Sequence, residues 1–323
     1  MTRTSVLAIG RSGLLYDAVR AVAESPRYRV AAIITDEAYD EYDVGVADFA
    51  SLASDVGAEF LTRRTISSEL VAELVERHEV QIGMSANWRF LIPEAALGVL
   101  PHGMLNLHLG RLPDYKGNAT ANWAILNDEP TLCADVHRMA AELDAGDVLA
   151  RATFHLGPQT YVGDVLEWSR AQAPTLFLAG IGLALDAPGE IVVPGSASGL
   201  RCYPRLPGDG QIDWARPADQ VNRLVRASSR PYPGAFTGYE HHEIRVWRAS
   251  VVVQPDRYLA EPGQVLRVDR VSGTVDVACG SGREALRLEE IEVDDQPVRP
   301  ADALRGIRTR LGTRGPAAKV LPG

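Results

Sequence analysis

Short apolar runs alternate with helix-period segments through the first third of the chain, and this alternation constrains the fold more than any other feature. Val6 to Ile9 is an apolar run, Gly10 to Gly13 a turn, and Leu14 to Ala23 repeats apolar residues at helical spacing. The same reading predicts a strand over Tyr28 to Thr35, a helix over Val46 to Val56 and a short strand over Glu59 to Leu61. A helix over Ser67 to His78 follows, with Ser67 and Ser68 as candidate caps, and then a strand over Val80 to Met84. Beyond the loop from Ser85 to Phe90, Pro93 is suited to start a helix over Ala95 to Val99, and a fifth strand over Met104 to Leu107 delivers His108.

Strands separated by helices form parallel sheets, so the expected fold is α/β: a Rossmann-like open, mostly parallel sheet with flanking helices. Ligands of such sheets bind beyond the carboxyl ends of the strands, which makes the loops after Met84 and Leu107 face one crevice. Gly10 and Gly13 do not make the GxGxxG dinucleotide fingerprint, and no acidic residue closes the second strand before Thr35-Asp36, which weighs against a nicotinamide enzyme. Further on, Val148 to Phe154 reads as a returning strand and Val162 to Leu185 as a long helix. Composition changes at Pro188-Gly189 and over Gly195 to Gly199, and again over Pro204 to Gly210, before a helix over Pro217 to Ala227. Four β-patterned segments follow, Glu243 to Ala249, Gly263 to Val268, Gly273 to Ala278 and Glu284 to Ile291, which fit a smaller OB-like β-barrel. A chain of 323 residues exceeds one typical domain, so the expected organisation is 1–203, 204–311 and a disordered tail over 312–323.

The formal charge of -9 weighs against a nucleic-acid partner, because gripping phosphates requires a basic surface that displaces counterions. Arg223, Arg226, Arg230, Arg245 and Arg248 cluster late in the chain, where surface ion pairs are their ordinary use. Cys133, Cys202 and Cys279 are odd in number and widely spaced, and read as reduced, buried thiols. No bound metal is expected, since the adjacent His241-His242 pair would diverge on a strand. With neither a long apolar leader nor a membrane-length apolar stretch, the expected location is cytoplasmic, with no membrane partner. The oligomeric state is not legible.

Asn106 and His108 end the fifth strand, and Asp144 lies in Leu143-Asp144-Ala145-Gly146-Asp147. An amide offers a neutral donor for a developing oxyanion, an imidazole exchanges protons near neutral pH, and a carboxylate orients the imidazole. That trio points to acyl transfer; the plain alternative is a packed histidine beside an ordinary turn.

The stretch Asn106 to Gly117, with Asn122-Trp123 to Asn127, Val136-His137-Arg138-Met139 and Leu143 to Asp147, resembles the 10-formyltetrahydrofolate-dependent formyltransferases. That family includes methionyl-tRNA formyltransferases and sugar-nucleotide N-formyltransferases. Ile212-Asp213-Trp214, Leu224-Val225-Arg226 and Pro231 to Phe236 resemble its C-terminal domain in the same order, so the likeness covers most of the chain. The resemblance implies catalytic roles for Asn106, His108 and Asp144 and makes 10-formyltetrahydrofolate the cosubstrate. It also implies folate binding by the backbone at Phe90, Leu91 and Ile92 and by Ala140, Ala141, Glu142, Leu143 and Asp144. Trp88 beside them reads as a packing residue or a stacking surface. Gly110, Arg111, Leu112 and Pro113, which stand where the family carries Ser-Leu-Leu-Pro, and Asn118, which stands for an arginine that touches folate in some sugar formyltransferases, are the further folate-binding residues that the resemblance implies; Lys116-Gly117 stands for Arg-Gly.

In the family's tRNA enzymes a basic loop after the second strand reaches the acceptor stem, whereas this chain reads Asp36 to Asp43, an acidic run. The acceptor is therefore expected to be a small-molecule amine. An amino-sugar nucleotide leads, because Asn122-Trp123 and Pro231 to Phe236 resemble the UDP-amino-arabinose formyltransferase domain. An amino acid such as a hydroxyornithine and methionyl-tRNA are the alternatives. A formyltetrahydrofolate hydrolase and a non-catalytic folate binder stay open as different classes. The sequence begins at its first strand, without the regulatory domain usual in the hydrolases, which favours transfer.

Overall fold

In the computed structural model of the chain, residues 3–37, 43–254, 257–280 and 284–312 are described. They form two compact units, neither continuous in sequence. Met1–Thr120, Pro130–Leu156 and Val165–Tyr203 make the first; Ala121–Glu129, Gly157–Asp164 and Pro204–Gly323 make the second.

The first unit is built on strands β1 (Thr4–Gly10), β2 (Tyr28–Thr35), β3 (Glu59–Thr62), β4 (Val80–Ala86) and β5 (Met104–His108), a two-residue β6 (Lys116–Gly117), β7 (Thr131–Arg138), β8 (Val148–His155) and a two-residue β9 (Arg201–Cys202). The main sheet runs β3-β2-β1-β4-β5-β7-β8, parallel through β5 and antiparallel across β5–β7 and β7–β8; β6 and β9 pair separately. It is therefore the open, mostly parallel sheet expected from the alternation.

Because side chains alternate across a strand, β1 serves two layers. Val6 and Ala8 pack with α1 (Ser12–Glu24), α2 (Val46–Val56) and the apolar side of the long helix Val162–Asp186, while Leu7 and Ile9 pack on the other face with α3 (Ser68–His78) and α4 (Glu94–Leu97). Helix α1 presents Leu15, Ala18, Val19 and Val22, a spacing that keeps one stripe on the sheet. Ser67 caps α3 by accepting from the Leu70 amide at 3.2 Å, whereas Ser68 bonds the Glu69 side chain. Pro93 sits at the N-cap of α4, one residue before the helix begins.

The rest of the chain adds α5 (Thr120–Leu126), α6 (the Val162–Asp186 helix), α7 (Ala218–Ser228), six strands from β10 (Ala235–Tyr239) and β11 (His242–Val253) through β12 (Val265–Asp269), β13 (Thr274–Ala278), β14 (Glu284–Val293) and β15 (Gln296–Val298), and a terminal turn of helix, α8 (Pro300–Ala303). In the second unit these strands form an antiparallel sheet ordered β10-β11-β14-β13-β12, with β15 on β14. Its core gathers Trp214, Val221, Val225, Ile244, Val246, Leu286 and Leu288 around Tyr161. Tyr161 Oη both donates to the Ala249 carbonyl and accepts from its amide, which draws the short segment Gly157–Asp164 into this unit.

The late arginines divide by role. Arg223, Arg230 and Arg245 pair with carboxylates, Arg226 donates to the Gly157 and Thr160 carbonyls, and Arg248 lies over the Tyr161 ring. All three cysteines are free and buried, as read from their spacing. Among the described residues no helix is long and apolar enough to cross a membrane. Most of the acidic run, 38–42, and most of the expected tail, 313–323, lie outside the described residues.

Candidate active site

Strands β5 and β7 lie side by side with Asn106 opposite His137 and His108 opposite Asp135. The four are spaced two apart on their strands, so one face of an otherwise apolar ladder carries four polar side chains. The amide Nδ2 of Asn106 lies 3.3 Å from His137 Nε2, and His137 Nδ1 lies 2.9 Å from the Arg138 carbonyl. A carbonyl only accepts, so the His137 proton is on Nδ1 and bare Nε2 accepts from Asn106. Burial first, and then the neighbouring His108, push the His137 ring down to about 4, against the opposing pull of Asp144. His137 is thus a neutral acceptor that uses one Asn106 N–H and leaves the second free.

His108, 7% exposed, donates from Nε2 to the Tyr115 carbonyl at 2.6 Å. Its Nδ1 is therefore unprotonated in the neutral ring, and it faces Asp144 Oδ2 at 3.6 Å. That distance is too long for a direct hydrogen bond, so the carboxylate acts on the ring through its charge. Asp144 Oδ2 is held by the Gly117 amide at 2.8 Å, and its Oδ1 lies 3.6 Å from His137 Nε2. Gly110 permits the packing: a Cβ there would overlap both the Tyr115 carbonyl and the His108 ring.

A cavity of about 310 Å³ opens beside this cluster, lined by Leu91 to Glu94 on one side and by His137 and Met139 to Asp144 on the other. Leu91 is 79% exposed and Leu143 37%, an apolar rim left to solvent. Among the described residues nothing bonds the backbone N–H or C=O groups of Phe90, Leu91 and Ile92. Trp88 packs with the core of the α3–α4 face and meets the Phe90 ring edge-on.

Of the residues singled out in the sequence, Leu91, Ile92 and Ala140 to Asp144 line the cavity, and Phe90 adjoins it beneath the Arg89 guanidinium. Asn106 and His108 are not on the lining; they connect to it through His137 and Asp144. Gly110, Arg111, Leu112, Pro113 and Asn118 are not on it either. Leu112 is buried with its N–H bonded to Asp135 and its C=O to Arg151, and the Asn118 amide donates to the Cys202 carbonyl, so these backbone groups are already engaged. His137 is the site residue the sequence reading left without a role, although its alternation with Asp135 in an apolar run marks both as polar groups on one strand face. Among the described residues no group of three His, Cys, Asp or Glu side chains is placed to hold a metal.

The family described as formyl transferase matches residues 3–179, and its C-terminal domain matches 207–308. A methionyl-tRNA formyltransferase from Geobacter sulfurreducens is 32% identical over 235 residues, covering 71% of this chain and 70% of that protein. Two solved structures share the fold at 12% identity. One is an N-formyltransferase from Helicobacter canadensis in complex with folinic acid and dTDP-3-aminofucose (TM-score 0.64, covering 89% of this chain and 99% of that one). The other is WlaRD, a sugar 3N-formyl transferase crystallised with dTDP and 5-N-formyl-THF (TM-score 0.62, 90% and 98%). HypX from Aquifex aeolicus, solved with tetrahydrofolic acid, aligns at 16% identity and TM-score 0.59 over 94% of this chain, which spans about half of HypX (47%). The match extends across both halves of the sequence in order, and the chain belongs to the formyl transferase family.

Proposed function

We propose that the chain moves a formyl group from 10-formyltetrahydrofolate to the amine of a small molecule, with an amino-sugar nucleotide as acceptor. The observation that carries the transfer is the chain of contacts from Asn106 through His137 and Asp144 to His108 at the edge of a cavity with unpaired backbone groups and an apolar rim. A flat, amide-like pterin suits such a wall: its ring edge bonds the backbone of Phe90 to Ile92, and its faces cover Leu91 and Leu143.

The neutral amine attacks the formyl carbon and forms the new C–N bond. Negative charge gathers on the formyl oxygen, and the second Asn106 N–H stabilises it through a water, because Asn106 like His108 is set back from the cavity lining. The proton lost by the amine passes to His108 Nδ1, by way of water because the ring is set back from the cavity lining. Asp144 stabilises the imidazolium as it forms. When the bond from the formyl carbon to N10 breaks, the proton returns to N10 and tetrahydrofolate leaves.

The acceptor class rests on two supports. The net charge of -9 disfavours a polyanion, and the two formyltransferases above that were solved with dTDP or dTDP-3-aminofucose share the fold along 90% and 89% of this chain. The 32% identity to a methionyl-tRNA formyltransferase favours the competing acceptor, so both belong in one assay. Tetrahydrofolate release is followed with dTDP- and UDP-linked amino sugars, hydroxyornithine, methionyl-tRNA and no amine. Release dependent on an amino-sugar nucleotide is expected. Release only with methionyl-tRNA or hydroxyornithine overturns the acceptor, and equal release without amine makes the protein a hydrolase.

A further inference from the structure

Behind the site lies a charge pair, a buried carboxylate with a half-buried guanidinium, that has no part in the steps above. Asp135 on β7 is fully buried; across one ladder it faces His108 of β5 and across the other Arg151 of β8. Its carboxylate accepts from Arg151 Nε at 2.7 Å and Nη2 at 2.5 Å, and from the Leu112 amide at 3.1 Å. Arg151 Nη2 also donates to the Leu112 carbonyl at 2.7 Å. Both backbone groups of one loop residue thus reach one ion pair; the carbonyl is held by Arg151, and the N–H is shared between Asp135 and the Gly110 carbonyl at 3.0 Å. Three residues further along the same loop, the Tyr115 carbonyl accepts the His108 Nε2 proton.

The pair is a poor device for stability alone, because the Asp135 carboxylate loses all its water and the partly exposed Arg151 some of it, and well-packed apolar residues would serve as well. Burial pushes the Asp135 carboxyl up, while the guanidinium and the Leu112 amide pull against it, and Arg151 in turn is held more firmly protonated. What the pair supplies that apolar side chains cannot is direction: two hydrogen bonds that fix the Leu112 peptide groups in place.

We propose that Asp135 and Arg151 are positioning residues of the site: by clamping Leu112 they hold the Tyr115 carbonyl on His108 Nε2, keeping the proton there and leaving Nδ1 bare toward Asp144. This inference rests on the reading of His108 as the proton acceptor. Once the clamp is loosened, the ring samples both tautomers, and the one protonated at Nδ1 cannot accept a proton at that atom. Lysine cannot replace Arg151, since one ammonium does not match the planar fork that spans a carboxylate and a carbonyl together.

The test is the tautomer itself, read by ¹⁵N NMR of histidine-labelled protein and assigned with His108→Gln. The wild type is expected to show His108 protonated at Nε2 alone, and Asp135→Asn and Arg151→Lys to show a mixture. Their kcat is expected to fall about ten- to a hundredfold with folate KM changed less than severalfold, the size of effect that follows a small displacement of a reacting group. A folded variant that keeps the pure Nε2–H form overturns the inference. A mixed tautomer with undiminished kcat upholds the clamp and instead counts against His108 as the acceptor. Side-chain exchange of the wild type decides the matter if neither variant folds: the Arg151 Nε–H, which donates to Asp135, is expected to exchange slowly, and exchange as fast as an exposed arginine overturns the clamp.

Discussion

Replacing Asp144 by asparagine isolates the charge that faces the His108 ring. The amide oxygen of the new side chain retains the bond from the Gly117 amide, so the loop keeps its shape while its negative charge is removed. A carboxylate 3.6 Å from an imidazolium, in a partly buried site of effective dielectric about 20, contributes about 5 kcal/mol to the charged ring. The amide dipole recovers part of this, leaving a loss of about 4 kcal/mol in the transition state, or about three orders of magnitude in rate. Since Asp144 also lines the cavity, folate binding has to be measured alongside turnover. Rapid-quench single turnover with saturating formyl donor separates the two. The expected result is a formyl-transfer rate about a thousandfold lower, an altered pH profile and a folate Kd within severalfold of wild type. A rate within tenfold of wild type, with the pH profile unchanged, would refute the electrostatic role and leave Asp144 as a loop anchor.

Two further outcomes follow from the same geometry. His137 is driven down to about 4 in the folded protein and returns to about 6.5 when unfolded, so between these values only the unfolded chain binds the proton. Stability is therefore expected to fall with pH through that window, by about 3 kcal/mol at its lower end, and His137→Gln to lose this part of the slope in urea unfolding at pH 7 and pH 4.5; an identical slope in the variant would locate the proton elsewhere. Leu91, with 79% of its surface exposed, contributes little to the core, so Leu91→Ser is expected to raise folate KM severalfold while leaving Tm and kcat near wild type. A lowered Tm with an unchanged KM would remove Leu91 from the folate wall.

Much of the first unit was legible because its strands are buried on both faces and its helices carry one apolar stripe, so residues as dissimilar as Tyr28 and Thr35 bound a strand read from hydrophobic period alone. Strand β7 escaped that reading. Its apolar run is broken by Asp135 and His137, whose side-chain partners, Arg151 and Asn106, are distant in sequence. The two-residue strands β6 and β9 have no period to detect, and they exist because Lys116 and Gly117 find Arg201 and Cys202 across a long gap in the chain. The trio Asn106, His108 and Asp144 was visible as residue types suited to one chemistry, yet sequence put Asp144 in direct charge of the imidazole. In the folded chain the His108 ring also donates its Nε2 proton in a hydrogen bond to the Tyr115 carbonyl, a contact no side-chain motif encodes.

His108 is the residue on which proton transfer depends most directly. In a single-turnover mix of 10-formyltetrahydrofolate, amino-sugar nucleotide and His108→Ala, formyl transfer is expected to be all but abolished, while titration of folate alone gives a Kd within severalfold of wild type. Transfer at the wild-type rate by that variant would contradict the proton-acceptor role and the mechanism built on it.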